Sequence, residues 1–395
     1  MTHISYRKYI TLLLLCAYGA TGCAHDVGQI LRSIEENNIR LKALQQRTEA
    51  VKDENKLENQ LADPEVGVDY LWGNNGIGNR IDLNVSQSFE FPTVYAQRRK
   101  LIRQKNENAS LSYLNEKQKI LLKARQLCIE IIYCNALSLH VERDLKITQE
   151  LSSSIQKQYT KGEATSIDYH KAVQSSTVYQ GEYNAIATRK KNLLEELQRM
   201  NGNIPITLDD TCYVHSLLPK DFETWMSQQC SSHPAIQLAS GEVSERERAL
   251  KVAKSQWLPS ISVGYMSEKE KVDHYQGATF SVSLPLWSNH RKVKAAKKQL
   301  EATKMMQAET QLEVSGNLRG LYNEALDLQA TLAAYIQSFK EGDNTPLLQK
   351  ALAAKQINLI TYLQEIQWGH EMQEKKLQVE RDFELKVAEL TAHEM

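Results

Sequence analysis

The chain has 395 residues, enough for two or more domains of ordinary size, and its 48 basic and 48 acidic side chains cancel to a formal net charge of zero. This balance gives no reason to expect nucleic acid as a partner. Only 17 glycines and 8 prolines are present, which favours long uninterrupted helices over a loop-rich fold.

The N-terminus, MTHISYRKYITLLLLCAYGATGCAHDV, has the pattern of a secretory signal peptide over residues 1–24. Its basic residues precede an apolar stretch that is too short for a stable membrane-spanning helix. Two cleavage sites fit. ATGC resembles a lipoprotein motif, with cleavage at 22/23 and a lipid on Cys23, whereas Gly22-Cys23-Ala24 suits ordinary signal peptidase, with cleavage at 24/25. In either case we expect export across the inner membrane.

An internal repeat organises the rest of the chain. PEVGVDYLW at 64–72 recurs as PSISVGYMS at 259–267, an offset of 195 residues. Further along, TSIDYHKAVQ at 165–174 meets NLITYLQEIQ at 358–367, an offset of 193 residues. Each half is therefore predicted to contain a helix, two strands, a very long helix, a turn and another long helix.

The repeat sets the predicted domain boundaries. The first repeat spans 25–200, a linker or equatorial segment spans 201–232, and the second repeat spans 233–395. The linker is predicted to be irregular because it contains Pro205 and Pro219.

Four strands are predicted, at 64–72 and 80–91 in the first repeat and at 259–266 and 278–286 in the second. The stretch RIDLNVSQSFEFP alternates apolar and polar residues, and successive side chains of a strand leave on opposite faces. Turn residues in GNNGIGN and the charged SEKEKVDHYQG (Ser267–Gly277) are predicted to form the two hairpin loops.

Alternation alone does not say which face of the strands meets water. Four strands cannot close a barrel, which needs about eight, and two isolated hairpins are marginal in water. Three chains would supply twelve strands, and a closed barrel leaves no unpaired backbone in lipid. The apolar face is then expected to meet lipid and the polar face a wet lumen. The alternative is a soluble sheet that caps a coiled coil.

The predicted helices are unusually long. No glycine or proline occurs from Thr93 to Lys161, a span of roughly 100 Å as a helix. Its apolar residues recur at three- and four-residue steps, which suits coiled-coil-like packing. Tips of two helical hairpins are predicted near 159–166 and 352–359, the first at Gly162.

Four cysteines lie beyond the signal segment. Cys128 and Cys134 are six residues apart on one helix and do not face one another. Cys212 and Cys230 would pair in an oxidising periplasm or remain two separate thiols, and the sequence leaves both alternatives open.

These features resemble the outer-membrane factor family, the TolC-like and CusC-like exit ducts of tripartite efflux pumps. The resemblance covers residues 25–390 and rests on the duplicated layout, the strand pattern P-x-[VI]-x-V-x-Y, and YTKGEATSIDYHKA at the first tip. The positions of this tip that match the family pattern are Tyr159, Gly162, Ser166 and Asp168.

The resemblance implies a mainly α fold with a small membrane β-barrel. Three copies would form a homotrimer with a 12-stranded barrel in the outer membrane of a Gram-negative bacterium and a 12-helix periplasmic tunnel. The implied partners are outer-membrane lipid, a periplasmic adaptor (membrane fusion protein) and an inner-membrane pump of the RND type. The implied cargo is small molecules such as drugs or metal ions. The alternatives are a type I secretion duct for proteins and a periplasmic coiled-coil scaffold without a pore.

The resemblance also assigns roles to the hairpin tips. The residues expected to contact the adaptor are Tyr159, Lys161, Gly162, Glu163, Ser166, Asp168, Lys355, Gln356 and Asn358. The second tip departs from the pattern, since Lys355 stands where the first has Gly162. In place of the acidic residues that ring the aperture in many family members, the chain offers Thr361, Gln364 and Glu365. The alternative is that all of these are solvated surface residues.

No catalytic motif is present: the sequence has no HExxH, no Walker loop and no nucleophile elbow. An enzyme and a cofactor are therefore not expected. Met305-Met306 and the stretch from His370 to Met372 suggest metal ligands only weakly, because adjacent residues diverge by about 100° on a helix. We expect no metal site.

Overall fold

The structure is a computed structural model that describes residues 23–74, 78–214, 218–287, 289–340 and 345–392. Residues 1–22 of the predicted signal segment 1–24 lie outside the described residues, and the signal peptide and lipidation at Cys23 stay predictions. The chain divides into two compact units. The first comprises the described residues of Met1–Lys42, Glu116–Glu223 and Gly316–Met395, and the second comprises Ala43–Asn115 and Thr224–Ser315. Each unit therefore draws on both sequence repeats.

Nine helices and four strands make up the described chain. The helices are α1 Cys23–Asn37, α2 Ile39–Leu57, α3 Pro92–Thr160, α4 Ser166–Met200, α5 Phe222–Ser232, α6 Pro234–Ser255, α7 Asn289–Lys340, α8 Thr345–Ala353 and α9 Leu359–Leu390. The strands are β1 Glu65–Leu71, β2 Arg80–Phe89, β3 Ser260–Lys269 and β4 His274–Ser283.

The longest helix, α3, has 69 residues and begins at Pro92. Proline suits the first position of a helix, because an N–H group at that position has no partner within the helix and proline lacks one.

In the part of the chain that the structure describes, no helix has an apolar stretch long enough to cross a membrane.

The four strands form one antiparallel sheet in the second unit, in the order β1-β2-β3-β4. The hairpin of the first repeat joins that of the second through β2 and β3, where Val85 lies opposite Tyr265 and Phe89 opposite Ile261. The sheet is therefore built equally from both repeats.

The predicted limits of the second hairpin are wrong. Strands were expected at 259–266 and 278–286, but β3 runs to Lys269 and β4 starts at His274, so the loop is only four residues long. Side chains of the charged stretch support the longer strands, because Arg80 Nη2 lies 2.8 Å from Glu268 Oε1 on the neighbouring strand. Ser267 and His274 also form a hydrogen bond of 2.9 Å across the hairpin. Part of the first hairpin loop, residues 75–77, lies outside the described residues.

The linker also differs from its prediction, because 201–232 contains the helix α5. In the first unit, the ring of Phe222 stacks on that of Tyr322 with centroids 4.2 Å apart. The hydroxyl of Tyr322 donates to the Pro219 carbonyl oxygen at 3.0 Å, and Arg319 pairs with Glu223 at 3.0 Å. These contacts with α7 fix the start of α5, and the local sequence does not reveal them.

Two buried asparagines fix the ends of helices in the first unit. Asn38, between α1 and α2, donates to the Met200 carbonyl oxygen at 2.7 Å, and its own oxygen accepts from the Leu41 N–H at 3.0 Å. Asn201, at the end of α4, accepts from the Ser33 hydroxyl at 2.9 Å. Since buried polar groups are costly unless bonded, these contacts hold α1, α2 and α4 in one arrangement.

Apolar side chains from three helices build the main core of the first unit around α3. Burial raises the pKa of the Cys128 thiol in this core to about 12, so the thiol is unreactive at neutral pH. Cys230 carries a free thiol, so the disulfide that the sequence left open is not formed in this structure. The fully enclosed members of the core are Ile34, Ala124, Cys128, Ile131 and Leu197.

Gly202, which follows the buried Asn201, provides a test of the packing at these helix ends. Its φ is +64°, and a Cβ there would lie 2.7 Å from the Asn37 carbonyl oxygen. We expect Gly202→Ala to destabilise the protein by at least about 1–2 kcal/mol, the cost of a left-handed conformation. The control is Gly181→Ala inside α4, where a Cβ meets nothing within 4 Å. This change should stabilise by about 0.5–1 kcal/mol. Urea unfolding measures both, and equal shifts would contradict the interpretation.

Candidate functional site

One face of the sheet is apolar across all four strands. The cross-strand pairs place Val66 opposite Val85 and Val85 opposite Tyr265, so apolar sets that alternate in sequence coincide in space. Its large apolar residues are Val66, Val68, Tyr70, Ile81, Leu83, Val85, Phe89, Ile261, Val263, Tyr265, Phe280 and Val282, and the polar residues on the same side are Gln87, Ser267, Lys269, His274 and Gln276. Val66 and Phe280 are 66% and 69% exposed, so this chain leaves the face largely uncovered. Exposed apolar areas of this kind mark sites that another molecule or a membrane covers.

The opposite face is polar. Its polar members are Glu65, Asp69, Arg80, Asp82, Asn84, Ser86, Ser88, Ser260, Ser262, Glu268, Thr279, Ser281 and Ser283, and Leu71, Met266 and Tyr275 lie among them. Asp69 and Asp82 lie directly opposite each other, an arrangement of like charges that is destabilising unless water or a cation screens it. Arg80 lies 2.7 Å from Asp82 and supplies one such positive charge.

The sheet has two free edges. β1 pairs only with β2, and β4 only with β3, among the strands that the structure describes. Each outer edge therefore presents backbone N–H and C=O groups that have no strand partner in this chain. Such edges are templates for pairing with another chain.

The turn at the first hairpin tip has a hydrogen-bond pattern that is common at helix ends. The Gly162 N–H donates to the Tyr159 carbonyl oxygen at 3.0 Å, and the Glu163 N–H donates to that of Gln158 at 2.9 Å. Gly162 has a φ of +77°. Together these features form a Schellman motif with Gly162 as its left-handed residue.

The second tip repeats the motif with a different residue. The Lys355 N–H donates to the Leu352 carbonyl oxygen at 3.0 Å, and the Gln356 N–H donates to that of Ala351 at 2.9 Å. Lys355 has a φ of +58°, although it is not glycine. The sequence difference at this position therefore does not change the backbone of the turn.

The helices that leave the two tips are capped in corresponding ways. Thr165 accepts from the Asp168 N–H at 3.1 Å, and the Asp168 carboxylate accepts from the Thr165 N–H at 3.2 Å, which is a capping box. In the second tip the Asn358 side chain accepts from the Thr361 N–H at 2.8 Å. Asp168, Asn358 and Thr361 thus help to build the turns, in addition to any role toward a partner.

The two tips pack together in the first unit. Leu359, from the second hairpin, is buried with Ile155 and Ala172 of the first. The exposed residues of the predicted adaptor surface are Tyr159, Lys161, Gly162, Glu163, Ser166, Lys355, Gln356 and Asn358. Of the predicted aperture residues, Gln364 and Glu365 are exposed and Thr361 is half-buried.

A buried polar cluster on three helices of the first unit was missed from the sequence. The His370 Nδ1 lies 3.1 Å from Asp144 Oδ2, and its Nε2 lies 3.0 Å from Glu182 Oε1. The ring of His140 stacks on that of His370 with centroids 5.2 Å apart. Two signals were available in the sequence: Asp144 interrupts an apolar stripe of α3, and His370 belongs to the stretch that suggests metal ligands weakly.

The charge state of His370 follows from these neighbours. Burial lowers its pKa, but the hydrogen bond to Asp144 and the negative charge of Glu182 raise it by more, so the pKa is raised above its ordinary value. The donor atoms of His140, Asp144 and His370 lie within 4.8 Å of one another, as do those of Glu182, His370 and Glu374, spacings that a metal ion could bridge. Both nitrogens of His370 already face carboxylates, so we interpret the cluster as a charged network that links three helices.

The duplicated turns predict a stability difference. Lys355→Gly should stabilise the protein by about 1 kcal/mol, because glycine tolerates a positive φ that costs other residues about 1–2 kcal/mol. Gly162→Lys should destabilise it by a similar amount, since no neighbouring atom would contact the new Cβ and only the backbone term remains. Thermal unfolding measures both changes. Shifts of the same sign would show that the two turns are not equivalent.

The pKa of His370 predicts a pH dependence. A raised folded-state pKa means that protonation stabilises the folded state, fully below the ordinary value of 6.5 and less as the pH rises through the folded-state pKa. The difference in Tm between the wild type and His370→Gln should therefore be largest near pH 6 and shrink toward pH 9. His170→Gln, at an exposed position of α4 outside the cluster, is the matched control. A constant difference across this range would contradict the charged network.

Comparisons with known proteins agree with this architecture. Residues 225–345 match the family model described as outer membrane efflux protein. A comparison by sequence with curated proteins gives no match. The chain is similar in structure to CusC, with 13% identity, a TM-score of 0.78 and coverage of 93% of this chain and 91% of that one.

Two further structures have the same fold. The CmeC outer membrane channel of Campylobacter jejuni has 14% identity and a TM-score of 0.73, with coverage of 93% of this chain and 85% of that one. The outer membrane protein VceC of Vibrio cholerae has 11% identity and a TM-score of 0.73, with coverage of 93% and 95%. The resemblance to the outer-membrane factor family that the sequence predicts is thus confirmed, by the family model over residues 225–345 and by a shared fold over 93% of the chain.

Proposed function

We propose that this protein is an outer-membrane channel, the exit duct of a tripartite efflux pump that passes small molecules such as drugs or metal ions. One observation carries the proposal: most apolar residues of the four strands lie on one exposed face of a sheet whose other face is mostly polar. A sheet with one face for lipid and one for water is what a spanning barrel requires.

The free edges support assembly into a homotrimer. A backbone edge in lipid has no water to satisfy its N–H and C=O groups, and each such group costs several kcal/mol. Four strands are too few to close on themselves, because about eight are needed. Three copies would place β4 of each chain beside β1 of the next and close a barrel of twelve strands, with the helices forming a periplasmic tunnel.

The polar face supports a wet lumen. Asp69 and Asp82 would be costly in a dry interior, whereas water or passing cations screen them in a channel. The serines and threonine of this face offer hydrogen bonds without charge and would not bind one solute strongly. We infer that the barrel contributes little selectivity and that the cargo is chosen by the partners.

We place the partners at the hairpin tips. The exposed tip residues, among them Lys161, Glu163 and Lys355, would contact a periplasmic adaptor, which in turn meets an inner-membrane pump of the RND type. Gln364 and Glu365 are exposed on α9 and are candidates for the aperture. The similar solved structures support this placement through their fold alone.

Paired substitutions on the two faces of β2 test the channel. Val85→Arg should impair insertion into the outer membrane, at a cost of about 2–4 kcal/mol near the midplane. Ser86→Arg, one position along the strand, should insert but change the conductance in a planar bilayer. Light scattering of extracted wild type should give a trimer. Equal insertion defects from both changes, or a protein that never conducts, would favour the scaffold without a pore. Transport of an unfolded protein instead of small molecules would indicate the secretion duct.

A further inference from the structure

The second unit shows a rule that relates strands to helices. Where two strands are neighbours in the sheet, the helices that lead into or out of them also touch. Beside β1 and β2, Asn55 of α2 donates to the Asn106 side chain of α3 at 2.9 Å, and Lys105 pairs with Glu58. The helices α2 and α3 thus lie side by side, as β1 and β2 do. We call such a boundary between two neighbouring strands and their two helices a seam.

The same relation holds at the other two seams. Beside β2 and β3, Asn108 of α3 donates to Glu245 of α6 at 2.8 Å. Beside β3 and β4, Gln307 of α7 donates to Ser240 of α6 at 2.9 Å, and Lys304 pairs with Glu247 at 3.4 Å. All three internal seams are therefore sealed by polar contacts between helices.

The fourth seam cannot form within one chain. Its strands would be β4 and β1, the two edges of the sheet, and its helices would be α7, which leaves β4, and α2, which leads into β1. In a closed ring of copies, β4 of one chain lies beside β1 of the next. The rule then brings α7 of one chain against α2 of its neighbour.

The surfaces that would meet carry opposite charges. The start of α7 is basic, with no acidic residue from Asn289 to Leu300. Its basic side chains are exposed, and among the described residues none of them has an ion pair: Arg291, Lys292, Lys294, Lys297 and Lys298. We call these five residues the basic segment.

The end of α2 and the stretch that leads to β1 are acidic. Lys52 and Lys56 pair with Glu49 and Asp53 in the same helix, at 2.8 and 2.7 Å, and so do not offset the remaining acids. Those acids are Glu54, Asp63 and Glu65, all of them exposed, and beside them Glu58 already pairs with Lys105 of the same chain. We call residues 53–65 the acidic segment.

The two segments also lie at matching depths. At the internal seams, each contact joins a residue that follows the end of one strand to a residue that precedes the start of the neighbouring strand. Counted along the chain, the second residue is four to nine positions nearer to its strand than the first is to its own, as for Glu58 and Lys105. With the same offset, Lys298 lies level with 54–59 and Lys292 lies level with 60–65. Each end of the basic segment thus meets carboxylates.

We infer that the basic segment of α7 binds the acidic segment of a second copy of this chain and seals the seam between copies. The inference rests on the proposed function, because it requires a closed ring. It adds to that ring a specific contact between oppositely charged segments of neighbouring copies. Salt screens such pairs, so their contribution should fall as ionic strength rises.

Zero-length carbodiimide crosslinking tests the interface on the full-length protein. Heavy and light copies are produced in separate cultures, extracted, dissociated, mixed, reassembled and then treated with the reagent. We expect peptides that join lysines 292–298 to carboxylates 53–65 to contain heavy–light pairs. The pair Lys105–Glu58 is the internal control, since it should give only heavy–heavy and light–light peptides.

Light scattering separates the two proposals. A trimer that yields no heavy–light peptide between the segments would overturn the interface and leave the channel standing, whereas a monomer would overturn both. A second measurement uses the combined change Lys294→Glu, Lys297→Glu and Lys298→Glu, which should lower the temperature at which the trimer dissociates on gels by several degrees. Adding Glu54→Lys and Asp63→Lys should restore it. An unchanged dissociation temperature would count against the interface, since lipid headgroups would then be the better partner for the basic segment.

Discussion

Backbone hydrogen bonding is the constraint on which the rest of this structure depends. Each repeat supplies a hairpin, the two hairpins pair through β2 and β3, and the resulting sheet still has two outer edges. One face of that sheet is apolar and exposed. An unpaired edge invites pairing with another chain and an open apolar face invites burial, and the proposed ring of further copies would satisfy both.

The two hairpin tips show how a duplicated chain keeps geometry while it changes chemistry. The same two backbone hydrogen bonds close both turns, yet one turn uses Gly162 and the other Lys355. The caps differ as well, with Thr165 and Asp168 in one tip and Asn358 and Thr361 in the other. A partner that contacts only backbone atoms would bind the two turns equally, whereas a partner that contacts side chains would distinguish them.

Much of this fold is local in origin and was therefore predictable. Alternation in RIDLNVSQSFEFP predicted which residues of β2 share a face, and the lack of glycine and proline after Thr93 indicated α3. The remainder depends on residues far apart in sequence. Strands β3 and β4 extend into charged sequence because Arg80 pairs with Glu268, and α5 forms against Tyr322. The histidine cluster joins Asp144 and His370, which are 226 residues apart, so no local pattern contained it.

The central strand pair has a consequence for how the chain folds. Residues of β2 and β3 that face each other are separated by 172 to 188 positions in sequence. Closing a loop of that length costs entropy that no local contact repays, so the helical hairpins form quickly and the sheet forms late. During that interval each hairpin can pair locally, but the edges of β2 and β3 that will join remain open, and open strand edges favour aggregation. We therefore expect the yield of folded protein to depend on how well these two edges are shielded until they meet, as well as on the stability of the finished fold.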